Sequence, residues 1–271
     1  MSGHIAFIGG GNMASAMISG LLKHGFPSTQ IDVVEPFAEA QDRLKLNFHI
    51  VAKPFADASL TRATIVVWAV KPQSFKEAAQ QVSIHTRDAL HISVAAGIRS
   101  GTIARWLDNE RIIRTMPNTP ALIGKGMTGL FACPTATESD RLHAERIVSG
   151  MGRFLWLERE DQLDAVTAIS GSGPAYMFYF MEAMTSAGAE MGLSRDQAYQ
   201  LAIGTFIGSG ELAQSSHEPP EILRQRVTSK GGTTHAAITS MEDSHIKELF
   251  VKALHAAQRR ATEMGNEFGD S

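Results

Sequence analysis

The fold of this chain is decided by ten residues near its start, Ile5-Ala6-Phe7-Ile8-Gly9-Gly10-Gly11-Asn12-Met13-Ala14. The four apolar residues predict a buried strand, and the glycines lead directly into an apolar helix that we place over residues 14–22. In this G-x-G-x-x-A pattern, Gly9 permits a tight turn, Gly11 lets the backbone approach a pyrophosphate, and the small Ala14 lets helix and strand pack closely. The free amides and positive dipole end at the helix start favour a diphosphate. A glycine-rich turn without a ligand is the alternative, but the flanking strand and helix favour dinucleotide binding.

Short β-branched runs continue to alternate with helical patterns up to residue 157. The strands are predicted at residues 5–8, 31–34, 65–70, 91–95, 112–115, 128–132 and 154–156. This alternation predicts an α/β fold with a doubly wound parallel sheet of the Rossmann type over residues 1–160. Residues 161–271 are rich in Ala, Met, Leu, Glu and Gln and predict an all-α domain. There we expect a loop and then a buried helix over residues 165–181, and one long helix from about residue 231 to 264.

Composition and charge exclude several classes of protein. The 271 residues are 44% hydrophobic and 20% charged, which is typical of a globular protein with a hydrophobic core. The net charge is −3, and the charged residues are distributed along the chain without blocks of one sign. Nucleic-acid and membrane-surface partners are therefore not expected. The single cysteine, Cys133, cannot form an intramolecular disulfide, and no Cys and His cluster predicts a metal site. Without a signal-peptide pattern or a long apolar span, we expect a cytoplasmic protein.

A carboxylate follows the second predicted strand. Glu35 comes about 20 residues after the glycine loop, where Rossmann folds hold the adenosine ribose. Glu35 would accept hydrogen bonds from both ribose hydroxyls, whereas a 2′-phosphate would meet a like charge. This favours NAD(H) over NADP(H), with a solvated turn glutamate as the alternative interpretation.

Three further strand ends are chemically distinctive, at residues 69–73, 95–97 and 116–120. Because ligands of doubly wound sheets lie at the carboxyl ends of strands, we expect these ends to face one crevice. Lys71 would reach the cofactor there, although an exposed loop lysine explains it equally well when it is considered alone. The predicted cofactor-binding residues are Ile8, Gly9, Gly10, Gly11, Asn12, Met13, Glu35, Ala69, Val70, Lys71, Pro72, Ala96, Gly97 and Asn118.

Two small polar loops precede helices in the second half. Residues 170–176 contain Pro174 at a suitable first helical position, so helix capping explains much of that segment. Residues 227–234 are better suited to chemistry, because successive amides around Gly231 to Thr234 form a concave donor array that fits a carboxylate. The ten histidines form no recognisable acid–base constellation, and surface or capping roles are expected for them.

With these motifs in order, the chain resembles the pyrroline-5-carboxylate reductase family over essentially its whole length. The motifs that carry the resemblance are the glycine loop with Asn12-Met13, Ala69-Val70-Lys71-Pro72-Gln73, Met116-Pro117-Asn118-Thr119-Pro120, Asp164-Ala165-Val166-Thr167 with the 170–176 segment, and the 228–234 loop. The resemblance implies an NAD(P)H-dependent oxidoreductase of proline biosynthesis that reduces the C=N bond of a cyclic imine carboxylate. It also implies that the second domain serves dimerisation and substrate binding, and that the subunits form a homo-oligomer, often a ring of dimers.

The resemblance further implies the roles of individual residues. Thr234 would touch the ring nitrogen and act as the catalytic residue, and Glu160 would lie near the substrate. The substrate-binding set is Glu160, Ser229, Gly231, Gly232, Thr233 and Thr234.

Three positions depart from the family pattern. Lys230 stands where proline is usual, Ala56 stands where an asparagine commonly helps to hold the cofactor, and Glu35-Pro36 replaces the polar or basic pair of many NADP(H) users.

Two alternative functions stay open. One is a related imine reductase or hydroxyacid dehydrogenase, although such dehydrogenases usually need a lysine early in the helical domain and residues 167–188 contain none. The other is a dinucleotide-binding regulator without turnover.

Overall fold

Seven strands form one sheet in the computed structural model, which describes residues 3–269. They are β1 (His4–Ile8), β2 (Ile31–Val34), β3 (Ala63–Trp68), β4 (Leu90–Ser93), β5 (Ile112–Met116), β6 (Gly126–Ala132) and β7 (Gly152–Trp156). Their order across the sheet is β2-β1-β3-β4-β5-β6-β7. Each corresponds to a predicted strand, and the predicted α/β fold class is confirmed.

One pairing in the sheet differs from the predicted all-parallel arrangement. Strand β6 runs antiparallel to β5, with Met116 opposite Gly129, and β7 is then parallel to β6. The reason is the length of the connection, because only the nine residues 117–125 separate β5 from β6. A parallel crossover needs about a dozen residues or more, so this short connection reverses the chain.

Helices cover both faces of the sheet and bury its alternating side chains. In β1, Ile5 and Phe7 belong to one apolar cluster, whereas Ala6 and Ile8 belong to a second. This division follows from the two-residue period of a strand. The helices of this part of the chain are α1 (Asn12–Lys23), α2 (Ala38–Phe48), α3 (Pro72–Val82), α4 (Ser100–Leu107), α5 (Glu138–Ser149) and α6 (Gln162–Val166), with short 3₁₀ turns at Ser28–Gln30, Ala58–Arg62, Ser83–His85 and Thr119–Ile123.

The remaining helices confirm an all-α second half but correct two details of it. They are α7 (Gly173–Glu190), α8 (Arg195–Ser215), α9 (Pro220–Arg226), α10 (Thr233–Asp243) and α11 (Ile246–Gly269). The segment expected as a loop is helical, because α6 continues through a π-helical turn, Thr167–Gly171, towards α7. The single long helix expected after residue 231 is broken, since His245 adopts a left-handed conformation with φ 54° between α10 and α11. The preceding Asp243 and Ser244 are weak helix formers that favour such a break.

The chain divides into two compact units. Unit 1 comprises Met1–Ser172 and Ala257–Ser271, and unit 2 comprises Gly173–Ala256. Within residues 173–256, only Thr185, Ala198 and Ala202 are buried. Large apolar side chains such as Phe178, which is 57% exposed, lie on the surface of unit 2. In the part of the chain that the structure describes, no helix has both the length and the apolar character to cross a bilayer.

Candidate active site

The carboxyl ends of the first four strands meet at one edge of unit 1. The Gly9 amide donates to the Val34 carbonyl at 2.8 Å, and the Ala69 amide donates to the Ile8 carbonyl at 2.8 Å. The loops that follow β1, β2 and β3 are therefore adjacent. The Val94 amide extends the row by donating to Trp68 after β4. The chain turns in opposite directions from β1 and β3, and this switch point is where doubly wound sheets bind dinucleotides.

The glycine loop has the geometry that a diphosphate needs. Gly9 has φ +94°, and a Cβ there would lie 2.6 Å from the Ala69 carbonyl oxygen, so only glycine fits. Gly11 is the N-cap of α1 and has no side-chain cap hydrogen bond, and a Cβ at Gly11 would meet nothing within 4 Å. The backbone at Gly11 is therefore open to an approaching group, and no side chain caps the first amides of α1. These residues fit the diphosphate of a nicotinamide dinucleotide.

Glu35 lies under this loop and not on the solvent side of a turn. Glu35 is only 5% exposed, and its Oε2 accepts a hydrogen bond from the Gly10 amide at 2.7 Å. The other oxygen, Oε1, accepts from the Phe37 amide at 2.9 Å. Each carboxylate oxygen can accept a second hydrogen bond, so Glu35 retains acceptor capacity for a ribose hydroxyl while it fixes the glycine loop.

Basic side chains near the end of β2 are already paired with acidic ones. The pairs are Lys53 with Asp57 and Arg43 with Glu39. A hydrogen bond from the Lys53 ammonium, and to a smaller extent hydrogen bonds from Ser59, hold the pKa of the Asp57 carboxyl well below its usual range. Each of these cations therefore already has a carboxylate partner within the protein.

The other predicted cofactor-binding residues divide between exposed and structural positions. Lys71 is exposed and is the N-cap of α3, and Pro72 is the first residue of that helix. Asn118 is used structurally, because its Nδ2 donates to the Ser170 carbonyl at 3.0 Å and its Oδ1 accepts from the Met127 amide at 2.9 Å. Ala96, which is half-buried, lies in the loop between β4 and α4.

Glu160 lies in unit 1 and is surrounded by donors. Its Oε1 accepts from the Ser100 amide at 2.6 Å and from Arg114 Nη1 at 2.7 Å, and its Oε2 accepts from Ser100 Oγ at 2.8 Å. Burial alone would raise the pKa of the Glu160 carboxyl, but the Arg114 charge and the Ser100 donors lower it overall. Burial lowers the pKa of the Arg114 guanidinium, and Glu160 opposes that effect. Glu160 is therefore held as a carboxylate.

A second carboxylate, Asp164, lies in α6, four residues after Glu160, which precedes that helix. Its Oδ2 accepts from Arg99 Nη2 at 2.6 Å and from Thr262 Oγ1 at 2.9 Å. The sequence interpretation included Glu160 and Asp164 but missed Arg99, Ser100, Arg114 and Thr262 as their partners. No sequence pattern identified these partners, because they come from separate elements of the fold: the start of α4, strand β5 and helix α11.

The predicted substrate loop lies in unit 2. Gly231 has φ +76°, the Gly232 amide donates to the Ser229 carbonyl at 3.0 Å, and Gly232 is the N-cap of α10 without a side-chain cap hydrogen bond. Thr233 is exposed and Thr234 is half-buried. The first amides of an eleven-residue helix and the hydroxyl groups of Thr233 and Thr234 therefore lie at one helix start.

Metal chemistry and thiol chemistry have no support in the described residues. Among residues 3–269, no group of three or more His, Cys, Asp or Glu residues could hold a metal ion. Burial raises the pKa of the Cys133 thiol, so the thiol stays protonated at neutral pH.

Comparison with family models gives two matches. A model described as pyrroline-5-carboxylate reductase dimerisation matches residues 160–264, and a model described as NADP oxidoreductase, coenzyme F420-dependent, matches residues 4–97.

Whole-chain comparisons agree with these matches. A pyrroline-5-carboxylate reductase of Pseudomonas aeruginosa is 42% identical over 98% of this chain and 98% of its own length. The structure of a pyrroline-5-carboxylate reductase from Coxiella burnetii superposes with a TM-score of 0.90, at 37% identity, over 97% of this chain and 99% of that one. A pyrroline carboxylate reductase of Plasmodium falciparum with NADP bound gives a TM-score of 0.85 at 26% identity, over 97% of this chain and 98% of that one.

Proposed function

The chain belongs to the pyrroline-5-carboxylate reductase family, and we propose that it reduces the C=N bond of 1-pyrroline-5-carboxylate with NAD(P)H to give L-proline, the last step of proline biosynthesis. The observation that carries the proposal is the presence in one chain of two helices with a glycine N-cap and no side-chain cap hydrogen bond, at Gly11 and at Gly232. One suits a diphosphate and the other suits a carboxylate. The reaction needs both anions to be held.

Unit 1 provides the cofactor side of the reaction. The amides at the start of α1 bind the diphosphate, Glu35 accepts from the ribose, and the loops that begin at Ala69 and Ala96 approach the nicotinamide half. Ile8, Asn12, Met13, Val70, Lys71, Pro72, Gly97 and Asn118 complete the proposed set by lining or shaping these loops. The reduced nicotinamide supplies the hydride when it is bound.

Unit 2 provides the substrate side. The amides and hydroxyl groups of residues 229–234 bind the carboxylate, with Ser229, Gly231, Gly232 and Thr233 as the proposed contacts. Thr234 orients the ring nitrogen, directly or through water. A protonated imine accepts hydride more readily than a neutral one, so position and a nearby proton source matter more than a strong base.

Glu160 is proposed near the substrate as the family resemblance implies, and its contacts narrow what it can do there. Both of its oxygens already accept hydrogen bonds from Ser100 or Arg114. We therefore propose that Glu160 acts indirectly, by holding Ser100 in position.

The preferred cofactor is NADH. Glu35 is buried with its carboxylate fixed by the Gly10 and Phe37 amides, so it cannot swing away from a 2′-phosphate. Like charges at a few ångströms repel strongly in a poorly solvated site. The ion pair of Lys53 with Asp57 supports the same preference.

Assembly follows from the family and from the surface of unit 2. The active protein is a homodimer built by residues 161–271, and residues 1–160 form the dinucleotide-binding part. The family matches at 160–264 and 4–97 support this functional division. We further propose a ring of dimers in the cytoplasm, without nucleic-acid or membrane partners.

Steady-state assays of the purified chain test the proposal. With 1-pyrroline-5-carboxylate present, oxidation of NADH should exceed that of NADPH in kcat/KM, and proline should accumulate in equal amount. Thr234→Ala should lower turnover, whereas Thr239→Ala, on the exposed side of the same helix α10, should not. Cofactor binding without turnover would overturn the reductase proposal in favour of a dinucleotide-binding regulator, and a preference for NADPH would overturn only the role of Glu35.

A further inference from the structure

The loop of residues 94–99 between β4 and α4 is held in place by the far end of the chain. Gly97 has φ +76°, and a Cβ there would lie 2.8 Å from the Cβ of Met264. A Cβ at Gly265 would lie 2.9 Å from Arg99 Nε. The C-terminal turns of α11, which belong to unit 1, therefore pack directly on this loop.

Polar contacts fix the same loop at its C-terminal end. Two carboxylates bind the last residue of the loop and the first residue of α4, Asp164 through the Arg99 guanidinium and Glu160 through the Ser100 amide and hydroxyl. We call the set Arg99, Ser100, Arg114, Glu160, Asp164 and Thr262 the α4 clamp. Its acidic and basic members are largely removed from water, since the Asp164 side chain is 7% exposed and the Arg114 side chain is 5% exposed.

Thr262 is the member of the α4 clamp that ties the last helix to it. Its hydroxyl donates to Asp164 Oδ2 at 2.9 Å and is also 3.2 Å from the Gln258 carbonyl of its own helix. The same Oδ2 accepts from Arg99 at 2.6 Å. One oxygen atom thus joins α11 to the residue that ends the loop, across 98 positions of sequence.

The position of the loop gives these contacts a consequence for binding. Residues 94–99 follow β4 directly, and β4 is paired with β3, which precedes the Ala69 loop at the cofactor edge. A loop without such anchors samples several conformations, and only one of them can be competent to bind. The apparent dissociation constant rises as the competent fraction falls. Loosening the loop therefore weakens binding without altering the chemical step of the bound complex.

From this geometry we infer that Thr262 and Asp164 are positioning residues for the cofactor: they hold the β4–α4 loop in the conformation that accepts the nicotinamide half of NADH. The inference rests on the proposed function, in which Ala96 and Gly97 approach that half. It extends the cofactor site to a residue of the last helix.

Thr262→Val tests the inference most cleanly, because it keeps the shape of an exposed side chain and removes only the hydroxyl. We expect the KM for NADH and the dissociation constant for NADH to rise about 3- to 10-fold, as for loss of a partly solvated hydrogen bond to a charged group. The value of kcat at saturating NADH should stay within about twofold of wild type. Thr262→Ser should restore the wild-type dissociation constant.

Thr61→Val is the matched control in the same unit. Its hydroxyl also donates to a backbone carbonyl, that of Ala58, but it lies before the amino end of β3, opposite the cofactor edge. It should leave NADH binding unchanged. Asp164→Asn provides a second variant, which should weaken NADH binding more than Thr262→Val because it removes the charge that holds Arg99.

Fluorescence titration with NADH in the absence of imine separates this inference from the proposed function. If Thr262→Val binds NADH with the wild-type dissociation constant, the positioning role is overturned, whether or not the melting temperature of the variant is lower. If Thr262→Val binds NADH more weakly and Thr262→Ser binds it as wild type does, the positioning role is supported. Failure of the wild-type chain to reduce 1-pyrroline-5-carboxylate would instead overturn the proposed reaction.

Discussion

The two units of this protein differ in how completely each buries its own apolar surface. In unit 1 the strands β1, β3 and β4 have almost no exposed side chain, and the two faces of the sheet are each covered by apolar clusters. In unit 2 the helix α7 has one buried residue, Thr185, while Phe178 and Tyr179 are more than half exposed. Large apolar side chains left exposed along one helix are typical of a surface that a partner covers. Unit 1 therefore buries an apolar core within one chain, whereas we expect unit 2 to be covered by a partner subunit.

Charging the apolar surface of unit 2 should have the largest effect. Phe178→Glu places a carboxylate on a face that we expect a second subunit to cover, and loss of an interface hot spot of about 2 kcal/mol or more weakens association at least ~30-fold. Sedimentation velocity should show monomers, with loss of reductase activity. Leu46→Glu is the matched change on an exposed apolar residue of unit 1, and the dimer should survive it. Dissociation by both variants, or by neither, would break the contrast between the units.

The pH dependence of the free energy of unfolding tests whether His91, in strand β4 of unit 1, is shielded from water. Trp68 Nε1 donates to His91 Nδ1 at 3.0 Å, and burial lowers the pKa of His91 from 6.5 to about 4. Between these values the unfolded chain binds a proton that the folded chain does not, so the free energy of unfolding falls as the pH is lowered. The loss should begin near pH 6.5 and reach about 3 kcal/mol at pH 4, at about 1.4 kcal/mol per pH unit.

His91→Gln is the comparison for that pH dependence. Glutamine keeps an acceptor for the Trp68 N–H and has no proton to gain, so this part of the pH slope should vanish. Urea unfolding of both proteins at pH 4 to 7 measures it. Equal slopes for wild type and variant would show that His91 is solvated.

The smallest expected effect concerns a close contact inside unit 1. A Cβ at Gly20 of α1 would lie 2.9 Å from the Cα of Gly150, where neither backbone can yield. Gly20→Ala should therefore lower the free energy of unfolding by about 1–3 kcal/mol, as for overpacking of a tight core. Gly101→Ala adds a Cβ that meets nothing within 4 Å in α4, and it should be neutral or slightly stabilising. Thermal unfolding of the two variants gives the sign directly.

The sequence interpretation was most accurate where short-range patterns decide the structure. Seven β-branched runs became seven strands, and the helix after Gly11 begins directly at Asn12. It was wrong about the direction of β6, because pairing direction depends on the length of the connection and on which edge of the sheet is free. It also missed the end of α10, where His245 adopts a left-handed conformation. The residues predicted for binding stay predictions, and their partners in the α4 clamp were not visible in the sequence.

What the sequence determined by itself was the order of the strands along the chain, the dinucleotide loop and the family. Each of these depends on hydrophobic period, on glycine stereochemistry or on ordered motifs, which are properties of neighbouring residues. Only the tertiary structure decided that Glu35 lies beneath the Gly10 amide and that Thr262 reaches Asp164. Hydrogen bonds and ion pairs form between groups that folding brings within about 3 Å of each other. The sequence supplies these groups, but it does not specify the distances between them.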